Sequence, residues 1–581
     1  MKAIIECRSE KSRYLVSTIF ITFIILLTWA LVPLRFETND DVGIMYIVAG
    51  YQTGTPSSLT LYTNILFGYI LSGMYTVMPM IPWYGITHIF LIYISLIMIF
   101  KSIIKVSIIK GTTLVVPFTL FFLLYIFFLS HYTAALQFST TPAMAGAAAC
   151  VLAASLFFEE SKRARFVDGI AIAFLMFFSY IIRPASGNVI IGYFAVVIAF
   201  KVAKCIINSD ICKQHLRFLV TLCICTTVPI VSAIAFNTYQ ADRNGINEFL
   251  SYNSQRSAYM HLGHTPYDEA PELYASIGWD NDFYSLVQRW FFMDERFTDD
   301  KLVLLNEHFD TTQQSVSGIN RLTSDIQNTF DSIYRLASRN TYVLGAAFIL
   351  TLVIIIHAIV LFRQKNWLHL IFLSAVAGGL LVTSLYLGYI GRFSSRAFFV
   401  TLIPAACLLV WNVAAVWQLE RLNTRHKYAL CAAVMALLAF FILVPLRRFP
   451  YEARIYRESA LSHRVAMEQY AIENPDNIYI FDHCLISQMP VLTLYKDHKP
   501  SNLFFWGGTS FNSPVYTAQL NANGLDELYI DALLQPGFYF ITQRTEHCYP
   551  LFEDYMKNTF NAQATVVDTL NGVYVIQFTR G

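Results

Sequence analysis

Charge is the first thing this sequence is short of. Only 14% of its 581 residues are Asp, Glu, Lys or Arg, where a soluble domain carries roughly a quarter. The 41 basic and 39 acidic residues leave a formal charge of +2, so there is no basic surface for nucleic acid. There is no Walker glycine loop, no zinc-type cysteine pairing and no collagen or solenoid period. Those absences set aside a soluble enzyme, a nucleic-acid binder and an ATP-driven pump acting alone. What is abundant is apolar: 56% of residues are hydrophobic and 15% aromatic. They fall in long runs that read as one large membrane domain with water-facing insertions.

A spanning helix needs roughly 20 mostly apolar residues to cross about 30 Å of hydrocarbon. About eleven stretches qualify, near 14–34, 83–104, 112–130, 140–158, 166–183, 186–203, 216–236, 341–362, 367–390, 397–417 and 428–446. Positive charge collects on alternate connections. Lys2, Arg8, Lys11 and Arg13 precede the first span. Lys101, Lys105 and Lys110, then Lys162, Arg163 and Arg165, then Lys201, Lys204, Lys213 and Arg217 follow on the same side. Arg363 with Lys365, and Arg421 with Arg425 and Lys427, complete the series. This predicts a cytoplasmic amino terminus and an extracytoplasmic carboxyl terminus. Residues 64–81 would invert every later turn if they crossed, so they are expected outside, as a helix in the interface beside Pro79, Pro82 and Trp83. The first span has no small-residue cleavage site at Leu31-Val32-Pro33-Leu34 and is not read as a signal peptide.

Two domains are expected: a transmembrane domain, 1–446, with external loops 35–82 and 237–340, and an extracytoplasmic α/β domain, 447–581. In the second loop Gly263, Pro266, Pro271 and Gly278 break short helices, and the aromatic residues of WDNDFYSLVQRWFFMDERF read as packing. In the tail, NIYIFDH, NLFFWG, GFYFITQ and ATVVDTL read as strands, with helices near 524–534 and 549–560. Asn571-Gly572 makes a tight hairpin into VYVIQF. Only Cys484 and Cys548, of ten cysteines, fall in predicted external regions, where an oxidising compartment would let them pair.

Phe36-Glu37-Thr38-Asn39-Asp40-Asp41 follows the first span within a few residues. Two adjacent carboxylates beside a membrane are costly to desolvate, and their repulsion raises one pKa. Such a group can act as general base towards a hydroxyl, or hold a cation. Read locally, Asn39 or Asp40 equally caps the helix DVGIMYIVAGY, with the acids favoured by its dipole. Arg183 in YIIRPASGN, and Arg392 and Arg396 in GYIGRFSSRAF, lie at outer span ends. There they could hold phosphate oxygens bidentately or simply snorkel. Asn39, His88 and Tyr132 are candidates to line an acceptor groove. His261 and His264 lack a third ligand, so no zinc site is assigned.

The early Asp40-Asp41 pair, the interfacial stretch through residue 82 and the carboxyl-terminal tail together resemble the GT-C superfamily of integral-membrane glycosyltransferases. The string NDDVGIMYIVAGYQTGTPSSLTLYTNILFG also looks like bacterial multispan proteins of no assigned activity. The superfamily resemblance implies a polyprenyl-phosphate sugar as donor, a glycan or lipid as acceptor, and a place in the bacterial cytoplasmic membrane. It also implies that Asp40 or Asp41 serves as base, with inversion at the anomeric carbon; Asp41, the nearer to the following helix, is preferred. Metal-dependent members carry a second acid in the next external loop. HYTAALQFSTT has none here, so no metal and no cofactor are expected.

Three other classes compete. A transporter or flippase would place ionisable residues at span centres or show repeated halves, and neither is evident. A polysaccharide polymerase or ligase using lipid-linked oligosaccharide would rely on the 237–340 loop. A noncatalytic receptor would bind through its tail and leave the aspartates as a helix cap.

Overall fold

A computed structural model gives the fold, describing residues 7, 9–158, 161–207, 212–261, 263–314, 341–390, 393–417, 461–482, 499–543 and 548–581, with isolated positions at 327, 330, 331, 334, 335 and 491. The expected span at 428–446, Arg392 and Cys484 lie outside the described residues.

The chain is a polytopic α-helical membrane protein with a sheet-containing carboxyl-terminal unit. Among the described residues nine helices are long and apolar enough to cross a membrane. They are α1 (Glu10–Leu31), α4 (Trp83–Ile109), α5 (Val115–Ala134), α7 (Lys162–Ile182), α8 (Pro184–Ile207), α9 (Cys212–Arg243), α14 (Thr341–Arg363), α15 (Trp367–Tyr389) and α16 (Ser395–Val416). Two further apolar helices are shorter: α3 (Ile65–Val77) and α6 (Thr140–Ala154). At 1.5 Å per residue α3 covers about 20 Å, less than a bilayer core. The expected span 140–158 is therefore a 15-residue helix, and its small residues explain its position. TTPAMAGAAACVLAA is buried along its whole length and packs against α4, α7, α8 and α16. Small side chains let four neighbours approach at once. A Cβ on Gly146 would meet Ile190 at 2.3 Å.

The lysines expected in turns need correcting. Lys101 and Lys105 belong to α4 and are buried. Lys101 Nζ donates to Asp168 Oδ1 at 2.6 Å and to Glu10 Oε1 at 2.9 Å. Lys201, in α8, is buried too and donates to the Leu156 carbonyl. The apolar stems of Lys101 and Lys201 continue their helices while each ammonium finds an acceptor on a neighbour, so hydropathy breaks do not coincide with helix ends.

The carboxyl-terminal unit holds a five-stranded sheet of β3 (Ile478–Phe481), β4 (Leu503–Phe505), β5 (Phe538–Thr542), β6 (Ala562–Leu570) and β7 (Val573–Arg580) in the order β4-β3-β5-β7-β6. The β3 pairings are parallel, while β7 runs antiparallel to β5 and β6. Asn571 and Gly572 both take positive φ, 46° and 85°, as a two-residue hairpin requires. Helices α17 (Leu461–Glu473), α18 (Pro514–Ala522) and α19 (Tyr549–Phe560) complete the unit. The helix expected near 524–534 is only a 3-10 turn, Ile530–Leu534. Gly524 takes φ 68° just beyond α18, and Ile530 N–H is committed to the Met293 carbonyl.

That last bond shows how the second loop is built in. Its helices α10 (Ile246–His261), α11 (Pro271–Ser276), α12 (Asn281–Val287) and α13 (Asp299–Gln314) share one hydrophobic core with the sheet. Trp279, Phe283, Phe291 and Phe292 are buried with Trp506, Phe540, Phe552 and Tyr555. Phe292 N–H donates to the Trp506 carbonyl. Loop and tail are a single packed unit, and the aromatic stretch of the loop is its core.

Candidate active site

The site begins where the loop after α1 meets the one after α5. Strand β1 (Arg35–Phe36) pairs in parallel with β2 (Ala135–Leu136), and Glu37 N–H continues the ladder to the Leu136 carbonyl. The chain then turns into α2 (Asn39–Ala49), whose N-cap is Thr38. Neither Asn39 nor Asp40 is the cap, although both aspartates stand in the first turn of α2, where the helix dipole favours them.

The two aspartates have opposite surroundings. Asp41 is completely buried. Its Oδ1 accepts from Phe138 N–H at 2.7 Å and Tyr84 O–H at 3.0 Å, and its Oδ2 accepts from Thr38 O–H at 2.6 Å. Burial pushes its pKa up to about 7; the bonds from Thr38, Phe138 and Tyr84 oppose that, and Asp40 adds to it. Asp40 keeps 24% of its side chain exposed, and Arg396 Nη1, 42% exposed at the start of α16, donates to its Oδ2 at 2.8 Å. Asn39 beside it is exposed.

A second carboxylate lies nearby. Glu37 Oε1 accepts from His131 Nε2 at 3.2 Å. Burial works against its charge, yet His131 and Arg35 hold it below the usual carboxylate range. The loop without acids thus contributes His131 and the Phe138 amide to the acids of the motif.

Arginines gather around Tyr62, which packs against both hydrophobic cores. Arg183, the C-cap of α7, lies 5.1 Å from the Tyr62 ring and 4.7 Å from the Phe138 ring and donates to the Tyr62 carbonyl at 3.3 Å. Arg256, from α10, is buried over the rings of Trp290 and Phe292, each at 5.5 Å. Burial raises the Tyr62 hydroxyl's pKa; Arg256 and Arg183 counter it and Asp40 reinforces it. The tyrosine therefore lies within the field of both arginines and the aspartate. Among the described residues Arg256 has no carboxylate partner; Nη2 donates to Asn253 Oδ1 and the guanidinium also bonds the Tyr62 side chain, while Nε and Nη1 are buried without hydrogen bonds. A guanidinium desolvated in this way is costly unless an anion reaches it.

Sequence reading missed Arg256, because one arginine in a polar helix carries no local signal. Its burial depends on aromatic residues more than 30 positions away in the chain. Two other candidates stand behind the site. His88 is fully buried, sharing a 2.9 Å hydrogen bond with Thr141 Oγ1 and lying 4.6 Å from the Tyr84 ring. Tyr132 is buried against Phe399 at 5.0 Å. Both support the elements that hold Asp41 and Asp40, and neither lines an open groove. Among the described residues no three His, Cys, Asp or Glu side chains converge as a metal site would need.

No family model matches the chain, and no curated protein matches it. A crystal structure of ArnT from Cupriavidus metallidurans in the apo state is similar over 98% of this chain and 98% of its own, at 11% identity and a TM-score of 0.41. The same protein bound to undecaprenyl phosphate is similar over 96% and 97%, at 11% identity and a TM-score of 0.38. At that identity and TM-score these likenesses bear on neither donor, acceptor nor reaction.

Proposed function

We propose that this chain is a membrane glycosyltransferase that moves a sugar from a polyprenyl-phosphate donor to a cell-surface glycan or lipid. In this reading it works in the bacterial cytoplasmic membrane, with the amino terminus cytoplasmic and residues 447–581 outside as an extracytoplasmic domain. The observation that carries it is the division of labour between adjacent aspartates beside a cluster of arginines. Asp41, closed in by three donors, fixes the first turn of α2. Asp40, one residue earlier and partly exposed, is then presented as the base. Its carboxylate takes the proton of an acceptor hydroxyl, and the hydroxyl oxygen bonds to the anomeric carbon. The bond from that carbon to the phosphate oxygen breaks, and polyprenyl phosphate leaves with the electron pair. A single displacement inverts the configuration. Arg183, Arg256 and Arg396 stabilise the charge developing on the phosphate, and Arg392 is proposed to join them. The preference moves from Asp41 to Asp40, because a carboxylate enclosed by protein donors cannot touch an acceptor.

Native mass spectrometry of the gently extracted protein tests the donor site. Bound polyprenyl phosphate or its sugar conjugate in the wild type, with sugar-loaded lipid accumulating in Asp40→Asn, is the expected result. A bound polyprenyl-diphosphate oligosaccharide would move the protein to the polymerases or ligases. Bulk phospholipid alone, even after polyprenyl phosphate is added, would overturn the donor assignment.

A further inference from the structure

The membrane domain carries an apolar groove at the end opposite the aspartates. Asn64, near the site, ties the far ends of α7 and α9 together: its N–H donates to the Ile181 carbonyl and its side chain to the Ala233 carbonyl. The starts of both helices therefore lie together at the other membrane face. Between their first halves is a groove of about 390 Å³, within the range of small-molecule sites. Phe166, Ile170, Ala173 and Phe177 line it from α7, and Phe218, Leu222 and Pro229 from α9. Its lining holds no Asp, Glu, Lys or Arg. Gly169 sets how closely the helices approach, since a Cβ there would lie 3.2 Å from the Phe218 ring. From Phe166 to Phe177 the helix rises about 16 Å, the depth of one leaflet of a core about 30 Å thick.

A lipid-facing groove ordinarily takes whichever chain is at hand, and cations at span ends ordinarily only fix orientation. Here the two are joined. Lys162, Arg165 and Arg217 each stand one helical turn before a lining residue, Phe166, Gly169 and Thr221 respectively. Side chains on a helix lean towards its amino terminus, so all three lean towards the mouth of the groove. Lys162 and Arg217 are exposed and, among the described residues, in no ion pair. Arg165 lies 5.3 Å from the Phe157 ring. His215 stacks on that ring at 3.9 Å, and Phe218 of the groove wall meets its edge at 6.0 Å. One aromatic residue thus fastens the basic collar to the wall. In sequence, stretches 155–165 and 201–217 hold seven Lys or Arg against three acids, Glu159, Glu160 and Asp210.

We infer that this groove holds one chain of an anionic phospholipid, with the lipid phosphate among Lys162, Arg165 and Arg217. Basic positions between membrane helices take such headgroups, and arginine can hold phosphate oxygens in pairs. A zwitterionic lipid offers the same chain and phosphate but brings its own cation against the collar. A fatty-acyl chain matches a groove one leaflet deep, whereas a much longer polyprenyl chain would overrun it. The inference does not depend on the transfer reading.

Native mass spectrometry of the full-length chain in detergent tests it with dioleoyl-phosphatidylglycerol and dioleoyl-phosphatidylcholine, which share their chains and differ in headgroup. Phosphatidylglycerol is expected to be retained about ten-fold more tightly. Lys162→Gln combined with Arg217→Gln, both at exposed positions, should melt as the wild type and weaken that retention about 30-fold. This is roughly 2 kcal/mol, at about 1 kcal/mol for each basic side chain near the headgroups. Ala173→Trp, which fills the groove and leaves every cation, should also remove the preference. Arg363→Gln combined with Lys365→Gln takes equal charge from the turn between α14 and α15 and should change nothing. Arg256→Gln should likewise leave phosphatidylglycerol retention as in the wild type, so this proposal and the donor proposal fail separately. Equal retention of the two lipids, or wild-type retention by either groove variant, would overturn the inference. So would an equal loss in the Arg363 and Lys365 variant, or displacement of phosphatidylglycerol by added polyprenyl phosphate.

Discussion

Replacing each aspartate of the pair by asparagine should give opposite results. At Asp41 the amide can keep every hydrogen bond. Phe138 N–H and Tyr84 O–H both go to Oδ1, which the asparagine oxygen replaces, and the Thr38 hydroxyl can turn to accept from the new N–H. What disappears is the titration. With its folded pKa at about 7 against an ordinary 3.8, wild-type Asp41 is still protonated in the folded state over a range where the unfolded chain has released the proton. Stability conferred by that proton is complete below about pH 3.8 and is lost as pH rises to about 7 and just beyond. A little over three pH units at about 1.4 kcal/mol each gives about 4 kcal/mol. Equilibrium unfolding in mixed micelles between pH 4 and pH 8 should therefore show the wild type losing about that much relative to Asp41→Asn. Asp41→Ala, compared at pH 4, should cost roughly 2–6 kcal/mol, because two buried donors lose their acceptor at about 1–3 kcal/mol each. Asp40→Asn breaks only a half-exposed ion pair and should change stability by about 1 kcal/mol or less. Sugar transfer should nevertheless fall by about 10²–10⁴, as loss of a general base does. A pH slope identical in wild type and Asp41→Asn would refute the burial argument, and wild-type transfer by Asp40→Asn would remove the assigned base.

Asp168→Asn should destabilise the fold by about 3 kcal/mol, the low end for breaking a buried pair, because Glu10 still faces Lys101; the same unfolding assay measures it. Arg256→Gln should weaken retention of added polyprenyl phosphate by about 10–100-fold, as loss of a hydrogen bond to a charged group implies, read by native mass spectrometry with melting as the control. Gly68→Ala should cost about 1–3 kcal/mol through overpacking, since its Cβ would fall 2.1 Å from the Ser58 carbonyl oxygen; a wild-type midpoint would show that the 57–60 segment yields freely.

The membrane class, most span positions, the strands and the hairpin are legible in the sequence because each follows from a short window. A run of apolar side chains or an Asn-Gly between alternating strands sets its own local free energy. The acidic motif is equally visible as a string. Which of its two aspartates faces protein and which faces solvent is not, because neighbours on a helix point about 100° apart. Only distant partners choose the buried face: Tyr84 is 43 residues from Asp41 and Phe138 is 97. The same reason hides Arg256, whose burial depends on Trp290 and Phe292 from another part of the loop, and the union of that loop with the tail, which needs Trp506 and Phe552 to close its core. Sequence alone settled what kind of segments these are. Tertiary structure decided which side chains lose water, and a carboxylate's or guanidinium's chemistry turns on that loss.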